Sequence, residues 1–267
     1  SEENPAYAAN VIANPSLSIS GETIDASIID TGLIESLHEI DDVESNVATG
    51  YHAIEFLLWG QDLHGTDAGN GDRAWTDYAK GDACTNGNCD RRGAYLKAAT
   101  DLMVSDLEWM TAQWVDGGEA RAAVLEGDGV PGLTAMVTGM GSLSYGELGG
   151  ERTKLGLLLH DPEEEHDCFS DNTHNSHYYD ALGIQNVYLG RYTRVDGSVV
   201  EGASLSDLVA ANDAALDTEL RGKLASSVLA GKAMVTRAEG GEAFDQLIAM
   251  GNDDGNAVVQ TFVDALV

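Results

Sequence analysis

Apolar residues recur three and four positions apart along most of this chain, and that spacing constrains its fold more than any other feature. Side chains at i, i+3, i+4 and i+7 share one face of an α-helix, whereas a half-buried strand alternates at every second residue. Tyr95, Leu96, Ala99, Leu102, Met103, Leu107, Met110 and Trp114 follow the helical pattern, and β-branched alternation is scarce. Proline, which breaks a helix by removing an N–H donor, occurs 4 times. An all-α fold follows. With 43% hydrophobic residues in 267, the chain can build one large core or two small ones.

Helices are expected at residues 28–37 and 43–59, the second carrying Ile54, Phe56, Leu57, Leu58 and Trp59 and stopping at Gly60. The long helix through Tyr95 and Trp114 reads as core-facing and ends at Asp116-Gly117-Gly118. That sets a boundary between halves, 1–118 and 119–267. The first 25 residues read as a surface arm or a short helix with a long loop, and Asp62 to Asp90 as a long surface excursion. The helical stretch from Leu133 to Leu159 is dense in glycine, at a cost of roughly 1 kcal/mol per exposed interior site, so close packing or backbone access to a ligand should compensate. Asp161-Pro162 followed by Glu163, Glu164 and Glu165 predicts a helix start, with the helix reaching Ala181 and stopping near Gly183. Two further helical stretches, 205–235 broken near Leu216 or Arg221, and 257–265, close the chain.

A formal charge of −31 repels nucleic acid and anionic lipid. It suits solubility in a salty environment, a field that gathers cations, or both. No apolar run approaches the roughly 20 residues needed to span a membrane, and Ser1-Glu2-Glu3-Asn4 lacks a signal-peptide pattern; any export or lipid-anchor signal is expected to have been removed already. Cys84 and Cys89 bracket the turn-forming Thr85-Asn86-Gly87-Asn88, which favours a small disulfide loop and a place outside the cytoplasm. A metal-thiolate pair would need ligands that are not near in sequence. Cys168 is left as a free thiol.

His52 and Glu55 stand three apart, so on a helix both project from one face and could share a ligand. Imidazole plus carboxylate is a half-site for iron or zinc, and equally a plain structural hydrogen bond; the second histidine of the HExxH zinc proteases is missing. If residues 162–181 are one helix, Glu163, His166, Ser170, His174 and His177 fall in one quadrant with Asp167 and Asp171 beside them. Such a face is either a metal-binding stripe or a solvated polar surface. Glu147 and Glu151 share a helical face, and Arg152 could orient a carboxylate or form an ordinary charge pair. Ser170 has a neighbouring histidine but no visible oxyanion site, and no phosphate-binding or dinucleotide fingerprint occurs.

The run Gly50-Tyr51-His52-Ala53-Ile54-Glu55, with Phe56 to Asp62 after it, resembles the GxHxxE signature of imelysin-like proteins. The stretch Gly141 to Arg191, containing Ser144-Tyr145-Gly146-Glu147 and Glu165-His166-Asp167-Cys168-Phe169-Ser170-Asp171-Asn172-Thr173-His174, resembles the iron-regulated protein A branch of that family. The likeness covers nearly all of the chain after Ile12. It implies two pseudo-symmetric helical bundles with a cleft between them, export to the periplasm, outer membrane or cell surface, and a link to iron supply. It also supports His52 and Glu55 as site residues with the Glu163 to His174 run facing them; together with the spacing, metal ligands are expected among His52, Glu55, His166 and His174, with Glu151, Arg152, Glu163, Asp167, Ser170, Asp171 and His177 around them, and iron, or alternatively zinc, as the ion. Members are also classed as metallopeptidases, for which Glu55 or Glu147 would serve as base. A non-catalytic module holding a small ligand or peptide is the third reading. Family members usually carry further N-terminal helices, so the first bundle is expected to lack part of itself and to expose apolar surface unless that missing segment or an envelope iron-uptake partner covers it.

Overall fold

The computed structural model describes residues 10–267. Its helices are α1 (Thr31–Leu37), α2 (Tyr51–Trp59), α3 (Cys89–Ala112), α4 (Glu119–Leu125), α5 (Val130–Gly141), a π-helical run (Ser142–Lys154), α6 (Leu155–Leu159), α7 (Thr173–Leu189), α8 (Leu205–Asn212), α9 (Ala214–Glu239), α10 (Phe244–Ile248) and α11 (Asp253–Leu266). Two antiparallel hairpins, β1 (Ser16–Ile19) with β2 (Glu22–Asp25) and β3 (Arg191–Thr193) with β4 (Val199–Glu201), are the sheets among the described residues. The fold is all-α, as the periodicity predicts. The chain divides into two compact units, one of residues 10–62 and 71–121, the other of 63–70 and 122–267.

The first unit opens on a hairpin rather than an arm. Leu17 and Ile19 alternate inward from β1, and Ser20 and Gly21, with φ of 51° and 85°, supply the tight turn that a right-twisted hairpin needs. Leu17, Ile19, Val11, Ala26, Leu37 and Ala48 form one core cluster, so this segment is structural; residues 1–9 of the expected arm lie outside the described residues. Arg91, on the first turns of α3, gathers the carbonyls of Val11, Ile12, Asn14, Ala26 and Ser27. One guanidinium thereby satisfies backbone acceptors that no strand or helix partners.

Helix α1 begins where Asp30 accepts the N–H of Leu33 at 2.9 Å. Helix α2 begins at Tyr51, eight residues later than the apolar pattern suggests. Between α1 and α2 the backbone turns left-handed at Glu39, Asp41 and Asp42, and His38 Nδ1 accepts the N–H of Ala48 at 3.2 Å, so side-chain bonds hold residues that a helix would have claimed. In α3 the first half is packed through Ala98 and Ala99, but Val104, Leu107, Trp109 and Met110 are exposed. Among the described residues, the N-terminal half of α3 faces a core and the C-terminal half does not. Periodicity reports that an apolar stripe exists, and says nothing of what covers it.

The second unit is built on α7, α9, α11 and the π-helical run, which enclose Leu148, Ala181, Met234, Phe244, Leu247, Val259 and Phe262. The expected helix from Pro162 is a single 3₁₀ turn, Pro162–Glu164, in which Asp161 accepts the N–H of Glu163 at 3.0 Å. The chain then runs irregularly to Asn172, and α7 starts at Thr173 and continues through Gly183 to Leu189. The N-cap signal at Asp161 is real; the helix fails to propagate because the backbone N–H of Asp167 turns to Thr173 Oγ1 at 2.8 Å and Asp171 adopts a φ of 52°. The later break falls at Asp213, which ends α8 and caps α9 by accepting the N–H groups of Ala215 and Leu216, both at 3.0 Å.

Candidate functional site

In the first unit the helical spacing of His52 and Glu55 becomes a hydrogen bond, Nδ1 to Oε2, of 2.8 Å. The Glu55 side chain is 4% exposed and the His52 side chain 40%. A buried carboxylate that accepts from Nδ1 fixes the imidazole tautomer, so Nε2 is the nitrogen whose lone pair such a ring presents to a ligand.

The C-terminal end of α2 is held from below by the segment that follows. Tyr78 donates its hydroxyl to the carbonyl of Leu57, and Arg73 donates Nη2 to that of Phe56 at 3.2 Å while its guanidinium lies 5.3 Å over the Phe56 ring. Arg73 also pairs with buried Asp77 at 3.3 Å. The disulfide joining Cys84 to Cys89 closes the loop whose Thr85 and Asn86 side chains donate to Asp77 Oδ1 at 2.9 and 2.7 Å. Burial pushes the Asp77 carboxyl up, but those two hydrogen bonds and the charges of Arg92 and Arg73 outweigh it and hold the group below its ordinary value. The disulfide loop is thus tied to the helix that carries the His–Glu pair.

Gly71 makes this approach possible. A Cβ there would stand 2.5 Å from the carbonyl oxygen of Trp59 and 2.7 Å from that of Gly60. Both obstacles are backbone, so Gly71→Ala should destabilise the protein by roughly 2 kcal/mol, the usual range for overpacking, seen as a lower midpoint in urea titration. An unchanged midpoint would mean that the segment relaxes freely.

In the second unit the polar residues do not share one helical face. Glu163 lies in the 3₁₀ turn, His166, Asp167, Ser170 and Asp171 in the irregular stretch, and only His174 and His177 on α7. The turn nevertheless gathers several of them. Asp167, 2% exposed, accepts from the Ser176 hydroxyl, and its Oδ1 lies 3.9 Å from His166 Nδ1. His174 is half-buried with Nε2 at 3.2 Å from Asn175 Nδ2, and burial lowers its pKa. His177 is fully buried, 3.3 Å from Thr153 Oγ1, with Phe244 edge-on at 5.1 Å. Burial first, then the neighbouring charges of His166, Arg152 and His174, push its pKa down to about 3, so the ring is neutral at ordinary pH.

Glu147 and Arg152 approach to 3.8 Å on the π-helical run, both largely exposed, and Glu151 is exposed beside them. The pair is five apart in sequence, the spacing that π winding stacks, whereas α winding would have matched Glu147 with Glu151.

Two acids that the sequence pattern passes over complete a different group. Ligand oxygens of Glu165, Asp171 and Asp245 lie within 4.8 Å of one another, a group that could hold a metal ion. Burial raises the Glu165 carboxyl well above its ordinary value, reinforced by the charge of Asp245 and, less, by Asp171 and Asp167, against a hydrogen bond from Thr173. Glu165 is hidden in sequence because an acid run after Asp161-Pro162 reads as helix-dipole stabilisation. Asp245 stands alone in Phe244-Asp245-Gln246 with no spacing to mark it.

No curated protein matches the chain in sequence. The sequence profile of the imelysin family matches residues 7–267, which spans both units and takes in the His52–Glu55 pair and the Glu165–His177 stretch alike. On that match, the chain belongs to the imelysin family.

Proposed function

We propose that this protein binds iron and serves iron acquisition at the cell envelope. The observation that carries the reading is the His52–Glu55 hydrogen bond, in which a buried carboxylate orients a half-exposed imidazole as outer-shell carboxylates orient metal-ligating histidines. The donors fit the ion: imidazole nitrogen and carboxylate oxygen suit iron or zinc, and His166 beside Asp167 offers the same two donor types from the second unit. The charge of −31 raises the local concentration of cations.

Elemental analysis of protein purified without chelators, followed by an Fe(II) titration, tests it. Stoichiometric iron is expected in the wild type, with affinity at least about 100-fold weaker in His52→Ala, beyond the 10- to 100-fold typical of outer-shell changes. His166→Ala should weaken binding as well. Iron that binds both variants as tightly as the wild type overturns the proposal. Zinc in place of iron, together with protein hydrolysis abolished by Glu55→Gln, would make the protein a metallopeptidase instead; no metal in any form would make it a ligand-binding module.

A further inference from the structure

We infer that the second unit carries a separate site for a hard divalent cation of the calcium or magnesium class, formed by Glu165, Asp171 and Asp245. The three residues come from different parts of the unit: Glu165 follows the 3₁₀ turn, Asp171 precedes α7 and Asp245 lies in α10. Their ligand oxygens converge within 4.8 Å. Oxygens on opposite sides of an ion are separated by twice the metal–oxygen distance, about 4.2 Å for magnesium and roughly 4.6–5.2 Å for calcium, so the spacing accommodates either. All three donors are carboxylates, which hard cations prefer and which soft metals do not require.

The convergence alone would be an acidic cluster. What points to a ligand is Glu165, which belongs to this group, is 95% buried, and has a carboxylate oxygen, Oε1, with no hydrogen-bond partner. A buried carboxylate oxygen without a donor is costly, and a cation at the centre of the three carboxylates supplies what is missing. Asp245 is fully buried as well, so two of the three carboxylates are withdrawn from bulk solvent. The ion would fasten the irregular Glu165–Asn172 stretch to α10, fixing the turn on which His166 and Asp167 stand.

The test is calorimetric titration of calcium chloride and, separately, magnesium chloride into chelator-treated protein, with thermal unfolding alongside. One saturable site is expected in the wild type for at least one of the two salts, weakened at least about 10-fold in Glu165→Gln. Glu165→Gln should also melt higher than the wild type in chelator, because a buried acid beside Asp171 and Asp245 is replaced by a neutral amide, yet gain nothing from added calcium or magnesium. Asp171→Asn, at a less buried position, repeats the test should Glu165→Gln fail to fold. His52→Ala is expected to bind calcium or magnesium as the wild type does, which separates this site from the iron-binding reading. No saturable heat with either salt, binding unchanged in both carboxamide variants, or binding lost in His52→Ala would each overturn the inference.

Discussion

Lowering the pH from 7 to 4 should cost this protein roughly 3 kcal/mol through His177 alone, and the His177→Gln variant should be spared that loss. The imidazole has a folded-state pKa of about 3 against 6.5 when unfolded. The native state therefore binds fewer protons than the unfolded state between those values. The stability contributed by a depressed group is present above its unfolded pKa and lost as pH falls toward the folded one, so the window lies between 6.5 and about 3. His177 is fully buried, so solvent screening does not discount the effect. Glu165 works in the opposite sense, since its raised pKa gives stability that is present in acid and lost as pH rises. For that reason the quantity to measure is the difference between wild type and His177→Gln across a series of urea titrations from pH 7.5 to 4, where the shared contributions cancel. Parallel pH profiles would show that the ring is accessible to protons in the native state.

Phe262→Ala is expected to cost roughly 3–5 kcal/mol, the range for removing a buried aromatic and leaving its cavity. Phe262 is fully buried in the core of the second unit, its ring 6.4 Å from that of His177 and nearly parallel to it. The surroundings have little room to collapse into the space. Gly231 of α9 already lets that helix approach so closely that a Cβ there would stand 3.1 Å from Phe262 Cε2 and 3.3 Å from Tyr178 Cα. The Tyr178 contact is with the backbone of α7, which leaves α9 little room to shift, so the cavity should persist and the cost should sit at the upper end of the range. Thermal unfolding should show a midpoint lowered by roughly 10 °C. A drop of only a degree or two would mean that α9 and α11 slide together after all.

Sequence made parts of this architecture readable because they depend on spacing alone. His52 and Glu55 fall on one face whenever residues 51–59 are helical, and their hydrogen bond follows. Cys84 and Cys89 are brought together by a short Asn- and Gly-rich turn, which asks nothing of the rest of the fold. The stripe expected from Glu163 to His177 failed because a correct start signal says nothing about how far a helix propagates. Thr173 and Asp171 diverted the backbone within ten residues of the cap. The exposed end of α3 and the carboxylates of Glu165 and Asp245 were hidden for a further reason: burial is decided by elements distant in sequence, and no local pattern encodes it.

The winding of residues 142–154 also bears on how this segment can change over evolutionary time. In an α-helix a lost charge is compensated one turn away, three or four positions along the chain. Here Arg152 answers Glu147 across five, so an exchange of signs that preserves the pair must couple those two positions and skip Gly150 and Glu151. Deleting one residue from the run without a change of winding would turn everything on one side of the cut relative to the other. The extra residue per turn is therefore a heritable commitment: single substitutions can drift around it, but insertions and deletions cannot pass through it without repacking the core of the second unit.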